Sequence, residues 1–341
     1  MDSQAGFWLE KIRGLPMREP MRIMNVCGGH ERSITMAGLR AALPASIELI
    51  PGPGCPVCIC PEEDIYAAIQ LALKEDIVLL AFGDMLRVPV NVPKGQIRSL
   101  AQAHGAGADV RPIASPVEAL KLATAHPDKT WVFFATGFET TTAPVAALLD
   151  QGIPENLQIL LSGRLTWPAV AMLLESDTPG FEALIAPGHV ATVMGPEEWQ
   201  FVVARHRLPA AVAGFTPESL LAAIYSVLRQ KQEQRYFLDN CYPEAVHPGG
   251  NPSARAQLAA TMDIKEANWR GVGTIPNSGF SLRPEFANRD ARIRFDRQLL
   301  ELSSDRPRAG AMPPGCDCAK VVLGKIPPNQ CRLYGTACTP R

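Results

Sequence analysis

The sequence predicts an α/β protein with two doubly wound, Rossmann-like parallel-sheet domains and a loop-rich region suited to an iron–sulfur group. Three observations predict it. Short apolar, β-branched runs alternate with longer amphipathic ones, the pattern of βα units. The alternation starts afresh near residue 128, which implies two sheets rather than one. After Asn240 the chain turns rich in Gly, Pro and Asn, and Cys316, Cys318, Cys331 and Cys338 crowd its last stretch.

The first domain is expected over residues 21–127, with strands at 23–26, 47–50, 77–82 and 110–113 and helices at 62–74 and 116–125. The second is expected over 128–215, with strands at 131–135, 157–161, 183–186 and 210–213 and helices at 140–149 and 197–205. A helix over 217–235 leaves it, and residues 1–20 and 216–341 form the third region. The unusual loops all follow expected strands. Ligand sites in open parallel sheets form beyond the carboxyl ends of the strands, so these loops can line the two functional faces, which could meet at a cleft.

A formal net charge of −1 over 341 residues does not suggest a nucleic-acid surface. Met1–Ala5 lacks a basic start followed by an apolar run, and no apolar stretch approaches a bilayer span. A soluble, cytosolic protein is expected. Thiols stay reduced there, so metal binding or redox chemistry is the favoured use of the nine cysteines.

Cys27-Gly28-Gly29-His30 ends the first expected strand. Two glycines permit a tight turn that brings a thiolate and an imidazole toward one point. A helix expected from about Ser33 would favour the thiolate through its dipole. One Cys/His pair is an incomplete ligand set, so a metal here needs a partner molecule or small ligands. The plain alternative is a buried strand-end cysteine beside a capping histidine. Cys55-Pro56-Val57-Cys58 precedes another expected helix, an arrangement that suits a disulfide-forming dithiol; half of a zinc knuckle is the alternative. Cys60 is a third exchanging thiol or a small core side chain.

The tail cysteines supply the ligand count of a cubane [4Fe-4S] cluster, with a four-cysteine zinc site as the competing reading. Thr136-Gly137-Phe138-Glu139-Thr140-Thr141-Thr142 offers hydroxyls and a carboxylate for an anion or partner, or merely an N-cap at Thr140 and a solvated Glu139. The loop His247–Arg255 either seals a cleft or fixes itself, and no Walker A sequence is present.

Taken in order, Cys27–His30, Gly52–Cys58, Val92–Gly95, Thr136–Thr141, His247–Arg255, Trp269–Pro276 and the cysteine tail closely resemble the HypD family of hydrogenase maturation factors. The likeness runs over almost the whole chain. It implies assembly of the iron centre of [NiFe] hydrogenases, an iron carrying cyanide and carbon monoxide. By that resemblance Cys27 binds the iron with His30 beside it, and Cys55 and Cys58 form a redox-active dithiol. Glu139 faces the site, and Cys316, Cys318, Cys331 and Cys338 hold a [4Fe-4S] cluster that exchanges electrons with the dithiol. A HypC-type small chaperone contributes a further thiolate and a HypE-type partner supplies cyanide. Such a scaffold has redox activity but need not turn over freely as an enzyme. A free-standing iron–sulfur thiol–disulfide oxidoreductase is the alternative, and it would need neither Cys27 nor His30.

Overall fold

The protein is described from a computed structural model covering residues 4–17, 19–176, 179–297, 299 and 312–339. Its strands, in chain order, are β1 (Met21–Asn25), β2 (Ile47–Pro51), β3 (Val78–Phe82), β4 (Val110–Ile113), β5 (Trp131–Gly137), β6 (Leu157–Gly163), β7 (Ala183–Pro187), β8 (Ala210–Ala213), β9 (Leu238–Cys241), β10 (Met262–Trp269) and β11 (Gly273–Leu282). The chain folds as two compact units. The first comprises Met1–Cys55, Thr166–Pro252 and Asp317–Arg341; the second comprises Pro56–Leu165 and Ser253–Cys316.

The sheet of the first unit is all parallel, in the order β2-β1-β7-β8-β9. β7 is buried at every residue, as a central parallel strand covered on both faces must be. One face packs Ile23, Ile185 and Ala211 against Leu220, Ile224 and Val227 of the helix Pro217–Glu233. The other packs Met24, Leu184 and Val212 against Val170, Leu173 and Trp199. From β1 the chain steps outward to β2, and the sheet later grows on the opposite side of β1 through β7. The carboxyl ends of β1 and β7 therefore flank a switch point, where open α/β sheets form ligand crevices.

The second unit repeats the plan with the parallel order β4-β3-β5-β6 and its switch point between β3 and β5. Val132, Phe134, Leu79 and Leu160 build its core with Ile65 and Ile69 of the helix Glu62–Lys74. An antiparallel pair, β10–β11, completes it. Buried Trp269 donates from Nε1 to Ser278 Oγ at 2.8 Å and anchors that pair.

The α/β class and the parallel sheets agree with the sequence, but the partition of strands does not follow 21–127 and 128–215. β1 and β2 pair with β7–β9, while β3 and β4 pair with β5 and β6. Neighbouring βα units look alike in sequence, and nothing local says which sheet edge a strand joins. The region after residue 216 is also less loop-like than expected. The expected helix is present at Pro217–Glu233, but beyond Asn240, where loops were expected, the chain forms the helix Pro252–Thr261 and the β10–β11 pair. β10 escapes recognition because Asp263, Ile264, Lys265 and Glu266 are all exposed, which removes the period-two apolar pattern.

Candidate metal and thiol centre

The first unit places Cys27 beyond β1, at the switch point. Cys27 occupies the N-cap position of the helix Gly28–Met36, which begins five residues earlier than Ser33. The neighbouring loop crosses directly over it. Gly52 N–H donates to the Asn25 carbonyl at 2.8 Å, and Gly28 N–H donates to the Gly54 carbonyl at 3.0 Å. A Cβ on Gly54 would stand 2.4 Å from Cys27 N and 2.3 Å from the Val26 carbonyl carbon. Only glycine permits that approach. A Cβ on Gly29 would meet the Phe215 ring at 2.6 Å, so the turn after Cys27 is fixed from both sides.

Cys27 is half-buried. Burial pushes its thiol pKa up, the backbone N–H groups of His30 and Gly29 pull it down, and the charge of Glu31 adds to the rise. The net shift is upward. The helix start does favour the thiolate, as expected, but desolvation outweighs it. The thiol is therefore harder to ionise than an ordinary cysteine.

His30 is fully buried. Its Nε2 lies 3.0 Å from the Ala213 carbonyl oxygen and its Nδ1 2.8 Å from Asn25 Oδ1, two acceptors of which a neutral ring donates to one. Its ring stacks obliquely on Phe215, which also meets the rings of His189, with centroids 3.8 Å apart, and Tyr242. Burial first, and then the neighbouring His189, hold the His30 pKa down at about 4. Each ring nitrogen thus faces an oxygen, one of them accepting the single N–H of the neutral ring, and the imidazole braces the turn. Asn25, missed by the sequence reading, ties this corner together: its Nδ2 donates to Glu31 Oε1 at 2.8 Å. A polar, strand-averse asparagine directly after Ile23 and Met24 and two residues before Cys27 was the available signal.

The Gly52–Gly54 loop leads straight into Cys55 and Cys58, which are joined as a disulfide. Cys55 is half-buried and Cys58 is exposed, so Cys58 is the more accessible residue of the pair. Cys60 differs. It is fully buried, and burial followed by the charge of Asp64 pushes its pKa up to about 12. It is a core side chain, not a third exchanging thiol. Beside it Ser162 Oγ donates to Asp64 Oδ2 at 2.6 Å, and Arg292 Nη2 donates to Asp64 Oδ1 at 2.7 Å. Arg164 completes the group at 3.4 Å. Burial raises the Asp64 pKa, but Arg292 and then Arg164 more than offset it, leaving the carboxyl below its usual range.

Glu139 opens the helix Glu139–Gln151 and is fully buried, not solvated. The N-cap is Phe138 rather than Thr140. In the first unit, the loop at His247 fixes itself: Gly250 N–H donates to the His247 carbonyl and Asn251 N–H to the Val193 carbonyl, each at 3.0 Å.

Residues 4–341 match the HypD family, described as the hydrogenase formation hypA family. The chain belongs to the HypD family. It is 39% identical over 327 residues to the hydrogenase maturation factor HypD of Rhizobium leguminosarum bv. viciae, covering 93% of this chain and 82% of that protein. It is 38% identical over 329 residues to the HypD of Azotobacter vinelandii, covering 94% and 83%. It is 37% identical over 326 residues to that of Escherichia coli, covering 94% and 84%.

The cysteine tail of this HypD-family chain is anchored to the first unit by Gly324. There φ is +68°, a Cβ would stand 2.7 Å from the Pro51 carbonyl oxygen, and Arg22 Nη2 donates to the Gly324 carbonyl at 3.3 Å. Cys318 starts the short helix Cys318–Val322, Cys331 follows the 3-10 turn Pro328–Gln330, and Cys338 is exposed. Backbone N–H groups of Asp317, Leu333 and Tyr334 face the Cys331 sulfur and, with Asp317 foremost, hold its pKa below the ordinary thiol value. That donor chemistry suits a thiolate ligand. Among the described residues, no three His, Cys, Asp or Glu side chains converge as a preformed metal site. No described helix is long and apolar enough to cross a membrane.

Proposed function

We propose that this chain is a hydrogenase maturation factor on which the Fe(CN)2CO group of [NiFe] hydrogenase is assembled. Cys27 holds the iron as its thiolate ligand. The observation that carries the reading is local: a half-buried thiol at a sheet switch point, roofed by the glycine loop that runs into the Cys55–Cys58 disulfide. Iron binding replaces the proton that burial keeps on Cys27. A lone thiolate does not complete an iron coordination sphere, so a HypC-type chaperone supplies another and a HypE-type partner delivers cyanide.

His30 holds Asn25 and the end of β8, and it would have to release one of these to bind metal itself. Reduction of Cys55–Cys58 takes two electrons and two protons to give the dithiol, which keeps the bound iron low-valent. A [4Fe-4S] cluster held by Cys316, Cys318, Cys331 and Cys338 would supply single electrons. Glu139, buried at a helix start, is the remaining candidate for proton handling. The exposure of Cys58 favours a second reading, an iron–sulfur thiol–disulfide oxidoreductase. Infrared spectra of the anaerobically purified complex with the small chaperone separate the two. Cyanide and carbonyl bands that vanish in Cys27→Ala support assembly. Disulfide reductase activity that survives Cys27→Ala, without such bands, supports the alternative.

A further inference from the structure

We propose that Arg270, at the tip of the β10–β11 pair, is a positioning residue that sets the redox equilibrium of the Cys55–Cys58 disulfide. The inference rests on the reading of that pair as a dithiol that changes redox state. Within the second unit, the turn at residues 269–272 reaches the stretch that directly follows Cys58. Arg270 N–H donates to the Ile59 carbonyl at 2.9 Å. Its Nη2 donates to Glu62 Oε1 at 2.8 Å and to the Pro89 carbonyl at 2.7 Å. The other Glu62 oxygen accepts Asn91 N–H at 2.8 Å. The Glu62 side chain is 2% exposed, and the guanidinium beside it is largely covered. The turn is shaped for this reach. Gly271 and Gly273 take φ of +74° and +102°, where only glycine is unstrained, and Val272 N–H closes on the Trp269 carbonyl at 2.9 Å.

The β10–β11 pair does not need this arginine to stay on its unit. Leu165 N–H donates to the Ser278 carbonyl and Arg164 Nη2 to the Asn268 carbonyl, each at 2.9 Å, and Trp269 is sealed in the core. A buried ion pair adds little net stability, and fixing geometry is its best-attested use. The geometry fixed here is the far end of the short helix Pro56–Ile59 that carries Cys58. Val57 packs against the core of the second unit and Ile59 is buried, which leaves Cys58 as the exposed residue of that helix. Two thiols held in place have a high effective concentration, which favours the closed disulfide. Without the Arg270 side chain the reduced segment gains freedom, and closing the S–S bond becomes less favourable.

Anaerobic equilibration of the full chain with graded ratios of reduced and oxidised dithiothreitol tests the proposal. The exchange passes two electrons and two protons from dithiothreitol, which closes to its cyclic disulfide, to Cys55–Cys58, which opens to two thiols. Alkylation and peptide mass spectrometry give the oxidised fraction. Arg270→Met is expected to lower the constant for disulfide formation about tenfold, a potential about 30 mV less negative. Arg270→Lys keeps a charge facing Glu62 and should recover part of that loss. Glu62→Gln keeps the shape but not the charge; it should shift the constant the same way and stands in if Arg270→Met does not fold. Arg283→Ala removes surface ion pairs beyond the other end of β11 and should leave the constant unchanged. Positioning also makes the oxidised form of Arg270→Met lose more melting temperature than the reduced form, whereas a merely structural role lowers both equally. An unchanged or higher constant in the folded variants, or the same loss in Arg283→Ala, overturns the proposal and leaves the dithiol reading standing. A parent pair that dithiothreitol never reduces overturns both.

Discussion

Cys27, Cys58 and Cys60 show how burial sorts identical side chains. Cys58 is exposed, Cys27 is half-buried with backbone N–H groups at its sulfur, and Cys60 is sealed with a pKa near 12. Iodoacetamide at pH 8 should therefore leave Cys60 unmodified in the folded, reduced protein and label it only after unfolding. Peptide mass spectrometry reads this directly, and native labelling of Cys60 would contradict the placement. The sequence pointed to Cys27 and the Cys55/Cys58 pair because glycine and proline spacing marks special turns. It could not rank the thiols, because their ionisation depends on neighbours distant along the chain, such as Ser162 beside Cys60. Nor could it show that His30 faces inward, since its partner Ala213 lies 183 residues away.

At the scale of elements, two small assemblies hold the candidate sites in shape. The first is the crossing of Gly52–Gly54 over the end of β1. Gly54→Ala forces a Cβ to within 2.5 Å of the Val26 carbonyl oxygen, which must displace the loop. The expected cost is about 1–3 kcal/mol in denaturant unfolding, with loss of iron retention, because Cys27 and Cys55 then move apart. The second is the buried Asp64 group. Its native carboxyl pKa is depressed, so the stability it confers is present above the unfolded value of about 4 and is lost as pH falls through the native value. Asp64→Asn strands the buried Arg164 charge and should destabilise by roughly 3 kcal/mol at pH 7. The variant should also show a shallower acid limb in unfolding curves from pH 5 to 3. The helices Glu62–Lys74 and Pro116–Ala125 were fully legible, since each has clear starting signals and a periodic apolar face. The β10–β11 pair was not, because its exposed face and register shift between Lys265 and Ala267 disguise the strand period.

For the whole molecule, the chain interleaves its two units, and this governs what can fold alone. β1 and β2 need β7 beside them, because Ile23, Met24 and Asn25 pair with Ala183, Leu184 and Ile185. A fragment of residues 21–127, which sequence alone would take as a domain, should show no cooperative unfolding by circular dichroism. A stable folded fragment would contradict the sheet order. Interleaving also explains why Cys318, Cys331 and Cys338, late in sequence, belong to the unit that bears Cys27: Gly324 and Leu323 dock where Met24, Ile50 and Pro51 leave room.

The central claim is that Cys27 is the thiolate that holds iron during assembly. The most direct measurement is infrared spectroscopy combined with iron analysis on the anaerobically isolated complex of the full chain with its small chaperone, comparing the parent with Cys27→Ala. The account predicts cyanide and carbonyl bands and bound iron in the parent, with both lost in a variant that keeps its fold. Undiminished bands in Cys27→Ala, or their absence from an intact parent complex, would contradict it.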